Sequence, residues 1–185
     1  MQPMHAVVYC ASSPNIDKRY IENASLLGEL FVKNNITCIN GAGCRGLMGA
    51  INDTMLAHGG IVKGIIPQFM VDSGWCHPNL SEVIVTKTMH ERKSKMAELA
   101  DAAVALPGGI GTLEELAEIL AWQQLGLFMS PVIILNINNY YTPLIRFFKQ
   151  MVEQQFMAVE FAEMWNEVQT PHEAVEILKR RFSER

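Results

Sequence analysis

No apolar run in this 185-residue chain approaches the roughly 18 residues that a membrane-spanning helix needs. The longest, such as Pro131–Leu135 and Ala102–Leu106, are strand-sized, so no membrane association is expected. The first residues, Met1-Gln-Pro-Met-His, lack a basic start and a long apolar stretch, so the expected compartment is the cytoplasm. Cys10, Cys38, Cys44 and Cys76 form no Cys-x-x-Cys, which points to reduced thiols. His5, His58, His77, His90 and His172 are scattered without His-x-x-x-His, so no metal site is expected. Positive charge is in deficit, with a net charge of −4, and nothing global attracts nucleic acid. A G-x-S-x-G elbow is missing too, which argues against a serine hydrolase of that type.

What is present suits one self-sufficient core. The composition is 49% hydrophobic and 18% charged, as expected of a single globular domain spanning 1–185. Nearly continuous apolar runs recur at His5–Cys10, Ile36–Ile39, Ile61–Ile66, Val83–Thr86, Ala102–Leu106 and Val132–Leu135. Strands of a parallel sheet covered on both faces read this way. Between them, Ile21, Ala24, Leu27, Leu30 and Phe31 repeat at helical spacing, as do Leu113, Leu116, Ala117, Leu120 and Ala121, and Leu144, Phe147, Phe148, Met151 and Val152. A last helix is expected to start after Pro171 and run to the basic Lys179-Arg180-Arg181. The alternation predicts a Rossmann-like, doubly wound parallel α/β sheet of six to seven strands, with ligands at the carboxyl ends of the strands.

Three strand-end turns are rich in small residues: Cys10-Ala11-Ser12-Ser13, Asn40-Gly41-Ala42-Gly43-Cys44-Arg45-Gly46, and Pro107-Gly108-Gly109-Ile110-Gly111-Thr112. Each precedes a predicted helix, so each offers backbone N–H groups and a positive dipole end to an anion. Gly41, Gly43 and Gly46 spell G-x-G-x-x-G, which by itself also serves tight strand-to-helix packing. No acidic residue for a ribose diol follows in Gly60–Pro67, which argues against a dinucleotide cofactor. Thr112 and Glu115 have capping-box spacing, but a carboxylate beside a glycine nest is also where an acid, base or charge stabiliser would sit. Arg92, Lys93 and Lys95 lie near a helix start, where their charge needs compensation by a phosphate or by carboxylates; a solvated Glu91–Lys95 pair is the alternative. The long connection Gln68–Ser81 reads either as an active-site loop or as a surface loop whose Trp75 covers core.

Pro107-Gly-Gly-Ile-Gly-Thr-Leu-Glu-Glu115 and Met89-His-Glu-Arg-Lys93 resemble the paired signatures of the LONELY GUY (LOG) family, long labelled lysine decarboxylases. The likeness extends to Cys10-Ala-Ser-Ser13, to the turn continuing through Leu47, Met48 and Gly49, and to Trp122-Gln-Gln-Leu-Gly126. The resemblance implies a cytoplasmic homodimer that cleaves the N-glycosidic bond of a nucleoside 5′-monophosphate, a cytokinin riboside monophosphate or AMP, without cofactor or metal. It implies Arg92 and Glu115 as the catalytic pair. It also implies substrate binding by Ser12, Ser13, Gly41, Gly43, Gly46, Met48, Gly49, Lys93, Gly108, Gly109, Ile110, Gly111, Thr112, Leu113 and Glu114. The chain departs from the family at Ala11 and Ala42, where glycine is usual, and at Gly74, where many members carry Glu. A rival reading is a non-catalytic nucleotide-binding or carrier protein using the same turns. A decarboxylase would need a Schiff-base lysine environment, and none is evident.

Overall fold

The computed structural model describes residues 3–183. Seven strands form one parallel sheet: β1 Met4–Tyr9, β2 Ile36–Asn40, β3 Val62–Pro67, β4 Glu82–Thr86, β5 Ala102–Ala105, β6 Val132–Leu135 and β7 Trp165–Val168. Helices α1 Lys18–Lys33, α2 Gly46–Ala57, α3 Gln68–Asp72, α4 Met89–Glu98, α5 Ile110–Gln124, α6 Thr142–Glu153 and α7 Pro171–Ser183 alternate with them. The spatial order is β4-β3-β2-β1-β5-β6-β7. The order therefore reverses between β1 and β5, and a crevice is expected at their carboxyl ends.

Both-sided burial explains the unbroken apolar strands inside the sheet, but not the apolar run of β4, an edge strand whose Val83 and Val85 are exposed. Ala6, Val8 and Cys10 pack toward one core with α1, α2 and α7, whereas Val7 and Tyr9 pack toward a second with α4, α5 and α6. The neighbouring β5 splits the same way, Val104 to the first core and Ala103 and Ala105 to the second. Gly64 of β3 is required by close packing: a Cβ there would stand 2.6 Å from the Cβ of Ala42 and 2.4 Å from Cδ1 of Leu80.

Several local expectations need revision. The strand β7 escaped the apolar-run criterion because Asn166 and Glu167 interrupt it at the sheet edge, where one side of the ladder is open. In α6 the buried residues are Ile145 and Phe148, while Phe147 is exposed, so the apolar stripe is shifted from the one expected. Ala117 and Ala121 of α5 are exposed and Ile119 is buried in their place. The first small-residue turn does not run directly into a helix: α1 starts at Lys18, capped by Asp17, after an irregular segment that bends at Pro14.

Candidate active site

Two of the three turns do lead into helix starts. The β2 turn enters α2 at Gly46, which sits at φ +61 because the first turn crosses over it: a Cβ there would meet Ser13 O at 2.5 Å and Ala11 O at 2.8 Å. The amide of Met48 donates to Ala11 O at 3.2 Å, fastening the two turns together. The β5 turn enters α5 at Ile110 with Gly109 as its cap. Thr112 therefore lies within the first turn of α5, not at its cap, and the Thr112–Glu115 capping box is not formed. A box of that type occurs instead at the start of α4. Thr88 Oγ1 accepts from Glu91 N at 3.1 Å, and Glu91 Oε2 accepts from Lys87 N at 2.7 Å. That engagement removes the alternative Glu91–Lys95 pair; Lys95 donates to Glu98 instead.

The box fixes the helix that carries Arg92. This side chain points inward, 7% exposed, and its Nη2 donates to Glu115 Oε1 at 3.2 Å across from α5. Nη1 faces the sulfurs of Met70 and Met89, and Nε is buried without a partner. The next residue, Lys93, is also buried and donates to Glu114 and Glu118. Burial alone would lower the Lys93 pKa, but the two carboxylates override it and hold the ammonium above its ordinary value. Glu115 moves the other way for a carboxyl. Burial pushes it up to about 7, against the opposing charge of Arg92, with Glu114 and Glu118 adding to the rise. A carboxyl that titrates near neutrality, beside a fixed guanidinium, can exchange a proton or hold negative charge at working pH.

These groups open on a cavity of about 610 Å³ at the switch point, a volume ordinary for a small-molecule site. Its walls bring together Ser12, Ser13, Gly41, Gly43, Met48, Arg92, Gly109, Gly111, Thr112, Glu114 and Glu115 from the sequence-based set. The rest of that set stands outside the wall. Gly46 and Gly49 lie against neighbouring backbone, and a Cβ on Gly108 would meet Thr112 Oγ1 at 2.1 Å. Lys93 is turned to its carboxylates, Ile110 is largely exposed and Leu113 half-buried. Sequence reasoning did not include Arg45, Ile66, Met70 and Met89 among the lining residues, nor Gly74 and Trp75, although both had been singled out in the loop. Methionines on a helix start and a short apolar loop helix read as core filler, and only the fold turns them inward. Trp75 is 55% exposed, so it forms a wall of the cavity and does not cover core.

The loop that carries Trp75 is fastened to the glycine turn. His77 N donates to Ala42 O at 2.8 Å, Gly43 bridges Cys76, and His77 Nε2 pairs with Asp53 Oδ1 of α2 at 3.0 Å. Gly41 is held small by Arg92: a Cβ there would lie 2.1 Å from Nη2. Among the described residues no group of three or more His, Cys, Asp or Glu could hold a metal ion. No described helix is long and apolar enough to cross a membrane.

Fold and site together define a doubly wound α/β protein with a glycine-lined cavity around a buried arginine–glutamate pair. The family model described as "possible lysine decarboxylase" matches residues 48–178. A probable cytokinin riboside 5′-monophosphate phosphoribohydrolase, LOGL2, of Oryza sativa subsp. japonica is 39% identical over 172 residues, covering 93% of this chain and 70% of that protein. The cytokinin riboside 5′-monophosphate phosphoribohydrolase of Rhodococcoides fascians is 37% identical over 156 residues, covering 84% and 79%. The chain belongs to this LOG, or "possible lysine decarboxylase", family. In fold it is similar to the Moco carrier protein of Chlamydomonas reinhardtii, with TM-score 0.77, 18% identity and full coverage of both chains.

Proposed function

We propose that this protein hydrolyses the N-glycosidic bond of a nucleoside 5′-monophosphate, a cytokinin riboside monophosphate or AMP, to the free base and ribose 5-phosphate. The observation that carries the reading is the buried Arg92–Glu115 pair at 3.2 Å on the wall of the glycine-lined cavity. Arg92 and Glu115 are the catalytic pair. Breaking the C1′–N bond builds positive charge on the ribose, so an anionic Glu115 stabilises it and takes the proton of the attacking water. Water oxygen ends on C1′, and the water proton taken up by Glu115 is passed on, directly or through solvent, to the departing nitrogen, which takes the electron pair of the broken bond. Arg92 holds the carboxylate in place. Ser12, Ser13, Gly43, Gly109, Gly111 and Thr112 cradle the 5′-phosphate at the starts of α2 and α5, and that remote anchor orients the ribose. Gly41, Met48 and Glu114 complete the wall, while Gly46, Gly49, Lys93, Gly108, Ile110 and Leu113 act by shaping it. The fastened loop puts Trp75 where the base side of the substrate extends.

Lys93 does not suit decarboxylase chemistry. A Schiff-base lysine needs a depressed pKa, and this one is raised by two carboxylates. The same proposal includes a homodimer in the cytoplasm. It is supported by exposed Leu125, Leu127 and Met129, which leave an apolar strip after α5 for a second copy. Light scattering of the purified protein checks it, with a monomer at micromolar concentration as the opposing outcome.

The deciding experiment follows free base and ribose 5-phosphate released from AMP, isopentenyl-AMP, other monophosphates and adenosine. Cleavage of monophosphates in clear preference to adenosine supports the proposal. Tight nucleotide binding without release would make the protein a carrier.

A further inference from the structure

Three consecutive carbonyls of the β5 turn are held from behind by groups outside it. Leu106 O accepts from the Tyr141 hydroxyl at 2.7 Å, Pro107 O from Ala11 N at 3.2 Å, and Gly108 O from the Tyr140 hydroxyl at 2.6 Å. A trans peptide points its N–H opposite to its C=O. Holding Pro107 O therefore aims the Gly108 N–H away from Ala11, and holding Gly108 O aims the Gly109 N–H away from Tyr140. Gly109 lines the cavity and caps α5, so its amide adds to the positive end of that helix.

The segment that delivers the two hydroxyls is itself tightly determined. Asn138 and Asn139 take the left-handed conformation at φ 52 and 60. The fully buried Asn136 accepts from Tyr141 N at 2.6 Å and donates to Glu167 at 2.7 Å. The Tyr140 ring stands edge-on to Tyr141 at 5.1 Å and to Tyr20 of α1 at 6.0 Å. Its placement thus rests on ring packing and not on the hydroxyl. Tyr140 as a residue is 44% exposed, and its hydroxyl donates to the carbonyl whose peptide carries the Gly109 amide.

We infer that Tyr140 is a positioning residue that aims the Gly109 amide at the substrate phosphate, an inference that rests on the phosphoribohydrolase reading. Tyr140→Phe keeps the ring contacts and removes one donor, leaving the Gly108–Gly109 peptide free to rotate. The phosphate is bound alike in ground and transition states, so the loss falls on KM and not on kcat. A charge-assisted contact of this kind predicts roughly a tenfold rise in KM for AMP, with kcat within about twofold. Ribose 5-phosphate binding, read by calorimetry, weakens by the same factor, and the melting temperature stays within about 2 °C. Tyr141→Phe is the contrast: it strips a donor from the buried Leu106 carbonyl and lowers the melting temperature.

Unchanged ribose 5-phosphate affinity in Tyr140→Phe overturns the inference. So does a fall in kcat and melting temperature together, which makes Tyr140 only structural. If the native protein binds ribose 5-phosphate without hydrolysing AMP, isopentenyl-AMP or any other nucleoside monophosphate, the functional reading fails, and the affinity comparison still decides the role of Tyr140. If the native protein binds no ribose 5-phosphate, both fall.

Discussion

Glu115 concentrates the chemistry in one titration. Its carboxyl is raised from 4.5 to about 7 by burial, so over that interval the folded chain holds a proton that the unfolded chain releases. The contribution to stability is therefore full below 4.5 and is lost as pH rises through about 7. In the proposed mechanism activity runs the opposite way, since there the anion is the working form. The kcat/KM profile is expected to climb with a midpoint near 7, above the substrate phosphate's own step at about 6. Glu115→Gln should keep monophosphate binding, lose at least about a hundredfold in kcat, and flatten the stability slope between pH 5 and 7 in urea titrations. A variant with full turnover would reduce Glu115 to a packing residue. Much of this was readable in the sequence, because Pro107–Glu115 and Met89–Lys93 name the two partners. The raised pKa was not readable, because it depends on how deeply α4 and α5 bury the pair.

At the level of elements, the site depends on how turns abut. The sequence locates all three turns and most strand boundaries, because two-sided burial writes strands as continuous apolar runs. It does not reveal that the first turn stops short of a helix, that α5 begins before Thr112, or that Met70, Met89 and Trp75 form a wall. Those facts follow from crossings between segments distant in sequence, such as Gly46 under Ser13. Gly41 tests the geometry directly. A methyl at this position would displace the tip of Arg92, a movable side chain, and not backbone, so the fold should tolerate it. The guanidinium would leave Glu115, and a misplacement of about 1 Å in such a site costs on the order of a hundredfold in rate. Gly41→Ala is thus expected to keep its circular dichroism spectrum and lose about a hundredfold in kcat/KM. Gly64→Ala should do the reverse. Its Cβ would press on Ala42 and Leu80 inside the sheet, costing about 1–3 kcal/mol in chemical denaturation. If Gly64→Ala unfolds like the native protein, the packing at Ala42 is looser than its geometry requires.

Over the whole molecule, the cavity is assembled from segments that lie far apart along the chain, from Cys10 to Glu115, and meet only at the reversal between β1 and β5. A ligand there bridges the turn after β1, the starts of α2, α4 and α5, and the fastened loop, so it binds the folded chain and has no counterpart in the unfolded one. Mass action then stabilises the fold by about 2.7 kcal/mol at a ligand concentration a hundred times Kd. For a chain of this size that corresponds to a rise in melting temperature of roughly 5–10 °C. Ribose 5-phosphate should produce the shift and ribose at equal concentration should not, because the phosphate supplies the anchor at the two helix starts. Glu115→Gln should retain the shift, since in the proposed mechanism the carboxylate serves the reacting bond and not the phosphate. Equal shifts from ribose and ribose 5-phosphate would mean that the glycine turns serve packing alone, and the anion anchor on which the catalytic reading stands would be lost.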